Sequence, residues 1–263
     1  MTNKTIAGIT LAAGAVGIAA GKASAAPDAA AVDAAVKSLK TYDWGVSRKT
    51  LDPICDAINA SHGDPAARKK IELALVAALP GASRSAADFI CRRLRVIGTG
   101  ASVKALAALM AKEDTAHMAR YALERLDDAK ALGALRAALP KACAKTKPGV
   151  IGSLGIRRDK TSVPAIARAL ADKDMNVAKA AAKALALIGC AGSAKALTAF
   201  VAKAPACMKI PVADACLICA EQLLADGQKT AAISLYKCLK GDSQPKHVKV
   251  AAMKGMLTAA SKK

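Results

Sequence analysis

The feature that most constrains what this chain can fold into is a degenerate unit that recurs roughly every 30 residues through its second half. Each copy reads as an Ala-rich stretch, a five-residue segment ending in Gly, a short turn, and a second apolar stripe. Leu94-Arg95-Val96-Ile97-Gly98 precedes Val103, Leu106 and Leu109. Ile151-Gly152-Ser153-Leu154-Gly155 precedes Val163, Ile166 and Leu170. Leu185-Ala186-Leu187-Ile188-Gly189 precedes Leu197 and Val201. A period of this size is that of one helical hairpin, and a hairpin buries its apolar face only by stacking on its neighbours.

Composition supports helix throughout. The 263 residues are 54% hydrophobic but only 2% aromatic; the excess is Ala, the strongest helix former and small enough to let helices approach closely. The spacing predicts helix pairs over 84–112, 115–141, 147–172, 175–203 and 211–240, with a last helix over 245–260. Before them, a first helix is expected over 32–40, a turn over Thr41–Gly45 that holds the single Trp, Trp44, and a helix running to Ser61 that accommodates Pro53 in its first turn after an Asp52 cap. Asp64-Pro65 is a cap followed by a proline, and opens a helix carrying Ile71, Leu75 and Leu79. Asp114, Thr161 and Asp174 have the side-chain oxygen that an N-cap needs. Ala204–Pro211 breaks the rhythm as a longer connection. The expected fold class is all-α, a right-handed α-solenoid.

The first 25 residues read as a secretory leader rather than as part of the fold. Lys4 supplies the positive start, Ile6 to Gly21 is uncharged, and Ala23-Ser24-Ala25 has the small-x-small form of a cleavage site. The apolar run is shorter than the ~20 residues needed to span a bilayer; the alternative reading is an uncleaved N-terminal anchor. The expected organisation is a signal peptide over 1–25, capping helices over 26–83 and repeats over 84–263, in an exported protein of the bacterial periplasm or cell envelope. No stable membrane insertion is expected after cleavage.

Forty Lys and Arg face 20 Asp and Glu, a net charge of +20. An excess of this size selects acidic partners and favours solubility. Eight cysteines in an exported chain invite a disulfide reading, but helical phase opposes it for most. Val212, Cys216, Cys219 and Leu223 fall on one apolar stripe, where Cys acts as a small buried hydrophobe. Cys216-x-x-Cys219 lacks the second pair of a zinc site and the following His of a haem attachment site. Cys143 and Cys207 fall in connections, and Cys207 with Cys238 is the pairing expected if the ends of successive second helices lie side by side.

No catalytic constellation, cofactor or metal site is legible. There is no phosphate loop and no His-Glu-x-x-His. Gly98-Thr99-Gly100 follows a helix rather than a strand, which rules against a dinucleotide fingerprint. Ile151-Gly152-Ser153-Leu154-Gly155 lacks the register of a nucleophile elbow. His117 reads as a packing or helix-start residue, and His62 and His247 are isolated. An enzyme is not expected.

The repeating segments resemble HEAT repeats of the short class seen in phycobilin lyases. Ile90-Cys91-Arg92-Arg93-Leu94-Arg95-Val96-Ile97-Gly98-Thr99, His117-Met118-Ala119-Arg120-Tyr121-Ala122-Leu123-Glu124, Leu39-Lys40-Thr41-Tyr42-Asp43-Trp44-Gly45 and Gly149–Gly155 look like segments of exported bacterial HEAT-repeat proteins. The resemblance covers most of residues 32–260. It departs at Leu126-Asp127 and Asp226-Gly227, where Ile-Gly or Leu-Gly usually stands. It implies protein–protein interaction with no catalytic residues, and second helices that line the concave face. On that face Lys104, Arg136, Arg168 and Lys195 are the candidate partner-contacting residues. Gly133 and Pro164 interrupt the ladder that Lys104 and Lys195 begin, and Lys112, Lys173 and Lys203 have the plainer role of complementing helix C-termini. The function expected is a non-enzymatic scaffold for an acidic protein. The alternative is a binder of polyanions, nucleic acid or an acidic polymer; export argues against genomic DNA, and aromatic poverty against stacking on single strands.

Overall fold

The structure, a computed structural model, describes residues 28–241 and 244–261, so the segment read as a leader lies outside the described residues. Among the described residues the chain is all helix, with no strand. Three helices come first: α1 (Ala29–Ser38), α2 (Asp52–Ala60) and α3 (Pro65–Ala78). Then come α4 (Arg84–Ile97) with α5 (Val103–Met110), α6 (Glu113–Arg125) with α7 (Ala129–Ala138), α8 (Lys147–Ile156) with α9 (Val163–Ala169), α10 (Met175–Ile188) with α11 (Ala191–Val201), and α12 (Ala206–Ala225) with α13 (Lys229–Cys238). The last helix is α14 (Lys246–Ser261).

Polar residues set several of these starts. Asp64 accepts the backbone N–H groups of Ala66 and Ala67, both at 3.0 Å, and opens α3. Asp174 accepts the Asn176 N–H at 2.8 Å and opens α10. Each satisfies donors that a helix start leaves without an internal partner. Two expected caps lie elsewhere. Asp114 falls inside the first turn of α6, where its charge faces the positive helix end, and Thr161 falls inside a 3-10 turn over Lys160–Ser162 that leads into α9. Asp52 is likewise the first helical residue of α2 rather than its cap.

The interruption expected over 204–211 is mostly helix. α12 begins at Ala206 and carries Pro211 inside it. A proline in the sixth helical position removes one bond close to the free end, where it costs least. Met208, buried in the core, anchors the turn before it.

Every pair of helices in substantial contact is at most two places apart in chain order. The first members of the pairs pack on one another in succession, α4 on α6, α6 on α8, α8 on α10 and α10 on α12. Among the second members, α5 packs on α7, α9 on α11 and α11 on α13. The repeated Gly marks where one unit meets the next. A Cβ at Gly98 would lie 3.1 Å from Leu126 Cδ2. One at Gly155 would lie 2.7 Å from the Ala184 backbone, and one at Gly189 2.8 Å from Gln222 Cβ. At Leu126, where no Gly stands, Arg157 of the following unit donates to the Leu126 carbonyl. Close approach, rather than one backbone conformation, is what the position conserves within the chain: Gly155 is helical, Gly98 extended and Gly189 left-handed with φ of 57°.

Two buried carboxylates hold turns. Glu72 of α3 is fully buried. It accepts the Thr99 N–H at 2.6 Å and the Ser102 hydroxyl at 2.5 Å, and Thr99 Oγ1 lies 2.9 Å from its Oε2. The Gly98-Thr99-Gly100 segment is therefore a turn tied to the preceding helix. Asp159 is 3% exposed and ties α7, through Arg136, to the turn before α9.

Candidate functional site

The four basic residues expected on the second helices lie on α5, α7, α9 and α11 in order. Lys104, Arg168 and Lys195 are exposed, and no carboxylate lies within ion-pair distance of them among the described residues. Arg136 differs. Its Nε and Nη2 donate to Asp159 Oδ2 and Oδ1 at 2.8 and 2.5 Å, a two-pronged pair that fixes the guanidinium. Burial pushes the Asp159 carboxyl up, but Arg136, the Ser162 hydroxyl and the Thr161 N–H outweigh it and hold it below its ordinary value. Arg136 thus neutralises a buried acid of its own fold. The remaining three do not share one register: Lys104 lies in the first turn of α5, Lys195 in the middle of α11 and Arg168 near the end of α9.

Six ion pairs are formed among the described residues. They involve only six of the basic side chains among the described residues.

All eight cysteines are free thiols. The Val212, Cys216, Cys219 and Leu223 stripe is buried, as its phase requires. Cys207 is exposed in the first turn of α12, whereas the Cys238 thiol, at the end of α13, points back to Leu235 O at 3.0 Å and is hydrogen-bonded with Cys216. The structure thus places Cys238 against Cys216, which lies midway along α12, the helix on which α13 packs. Burial raises Cys91 and Cys219, each to about 12, so neither is a thiolate near neutrality.

Two cavities flank His117, which is exposed and lines both. One, of about 680 Å³, gathers Tyr42, Trp44 and Phe89 with Arg48, Arg84 and Asp88. It holds three of the six aromatic residues in the chain, and Trp44 stands 93% exposed at its edge. The Arg93 and Arg48 guanidinium carbons lie 5.2 and 5.9 Å from the centre of the Phe89 ring, within cation–π range. The other, of about 770 Å³, lies between α5 and α7 and the starts of α6 and α8. Sequence reasoning found neither. The alanines that shape the second are ordinary helix residues in the sequence, and His117 has no ligating neighbour there.

Among the described residues no group of three or more His, Cys, Asp or Glu is gathered as a metal site, and no helix is long and apolar enough to cross a membrane. Compared with protein-family models and with curated proteins, the chain matches none.

Proposed function

We propose that the chain is a non-enzymatic scaffold of the bacterial cell envelope, a right-handed α-solenoid of HEAT-like helix pairs that binds an acidic protein along its second helices. Packing restricted to helices at most two places apart supports the solenoid reading, since a fold around one centre would bring distant helices together. The observation that carries the binding reading is the exposure of Lys104, Arg168 and Lys195 on three second helices with no internal counter-charge. Uncompensated cations on an extended face raise the association rate and fix the sign of the partner. The leader over 1–25 supports export, and the mature chain works outside the cytoplasm.

The test is affinity capture from the protein's own cell envelope, comparing the mature form with a Lys104→Gln, Arg168→Gln, Lys195→Gln triple variant. One acidic protein retained by the first, lost from the second and released at about 0.5 M salt supports the scaffold. Retention of several unrelated polyanions transfers support to the polyanion reading. Equal retention by both proteins defeats both.

A further inference from the structure

The cavity between α5 and α7 has a composition that selects a ligand. Seven of the side chains lining it are alanine, among them Ala107, Ala134 and Ala138, and Met110 and Val150 extend the same apolar wall. Its volume, about 770 Å³, falls within the range of small-molecule sites, which are mainly apolar with a few convergent polar groups. Those groups here are mostly cationic. Arg120, Lys141 and Lys145 line the cavity against a single carboxylate, Glu113. Lys145 pairs with Glu113 at 2.6 Å and Arg120 with Glu124 at 3.2 Å, which leaves Lys141 with no ion pair among the described residues.

The backbone adds to this field. α6 and α8 both begin at the cavity, and neither start has a side-chain cap. The α6 start already carries Glu113 and Asp114 in its first turn, whereas the α8 start has no acidic residue there, so its partial positive end is the one left uncompensated. Beside it, the Cys143 thiol is exposed and lies 3.4 Å from Thr146 Oγ1. A cation would meet net repulsion here. A small hydrophilic anion would leave the alanine wall unused. A ligand that matches both parts carries one negative head and an apolar body.

We propose that this cavity binds a small amphipathic anion, with its head beside Lys141 and the start of α8 and its body against the alanines of α5 and α7. The inference is independent of the scaffold reading, which concerns Lys104, Arg168 and Lys195.

Cys143 supplies the probe. The native protein is alkylated with iodoacetamide in the presence of decanoate or decyl phosphate, and modification is quantified by peptide mass. Cys207, exposed in α12 and outside the cavity lining, is the internal control. Either anion at submillimolar concentration is expected to slow Cys143 alkylation at least 5-fold and leave Cys207 unchanged. Decanol and decyltrimethylammonium are expected to protect at least 5-fold less well. Lys141→Gln, an exposed change that leaves the helices intact, is expected to weaken protection about 3-fold. Ala107→Leu, which puts apolar volume into the cavity, is expected to abolish it while helical circular dichroism stays native. Equal protection of Cys207, equal protection by the uncharged or cationic chains, or no protection at all overturns the proposal.

Discussion

Asp159→Ala is the substitution whose consequences are best defined by geometry. The carboxylate is 3% exposed and accepts from Arg136, from the Ser162 hydroxyl and from the Thr161 N–H. Ser162 is itself buried. Removing the acceptor leaves that hydroxyl and the N–H unsatisfied, at about 1 kcal/mol each. The Arg136 side chain is 38% exposed and regains water, so loss of the pair adds only about 0.5–1 kcal/mol. The expected total is about 3 kcal/mol, or a fall of about 6–12 °C in Tm for a chain of this length. Urea unfolding followed by the helical signal at 222 nm measures it. The pH dependence follows from the lowered carboxyl. A group whose native pKa lies below its unfolded value stabilises the fold above the unfolded value, and that contribution disappears as pH falls through the native one. The stability difference between the natural protein and Asp159→Asn should therefore be constant from neutrality to about pH 4 and shrink below it. A double-mutant cycle with Arg136→Ala should return a coupling of about 1–2 kcal/mol. A loss under 0.5 kcal/mol for Asp159→Ala, or a difference indifferent to pH, would refute the reasoning.

Other consequences are as direct. In α8, Gly152→Ala meets nothing within 4 Å and should stabilise by about 0.5–1 kcal/mol, whereas Gly155→Ala, three residues on, collides with the Ala184 backbone and should destabilise by about 1–3 kcal/mol; thermal unfolding of the pair that ranked them the other way would contradict the α8–α10 contact. Glu72→Ala strips three donors of their acceptor in the buried turn after α4 and should cost about 3–5 kcal/mol, with hydrogen exchange accelerated at Thr99 and Ser102 before the rest of the chain. The Cys143 thiol is held below its ordinary value by the Thr146 hydroxyl and by the N–H groups of Thr146 and Lys145, so its alkylation rate should rise at lower pH than that of N-acetylcysteine in the same buffer; coincident profiles would remove that stabilisation.

The helix pairs were legible because their signals are local. Apolar spacing at 94, 97, 103, 106 and 109 depends only on helical phase, and the boundaries read from it lie within a few residues of α4 through α13. Pro211 misled because a proline breaks a helix interior but is tolerated in a first turn or two, and the sequence does not say where the turn before it is anchored; Met208, buried, does that. Glu72 left a faint signal. It stands three residues before Leu75 on the apolar face, an acid where a hydrophobe is expected, but its partners lie 27 and 30 residues away. In the sequence Arg136 is a candidate partner-contacting cation, because Asp159 is distant in the chain and their pairing is a property of packing. The neighbour of Cys238 is illegible in the sequence for the same reason. Phase gives which side of α13 is buried, not which turn of α12 it meets.

Because helices in substantial contact lie at most two places apart in the chain, most helix packing closes loops of a few tens of residues. Such a chain acquires structure in the order in which it is delivered, each new helix settling on one already in place. A polypeptide that emerges gradually through a narrow exit never waits for a distant strand or a remote terminus, and its exposed apolar length at any moment is that of a single helix pair.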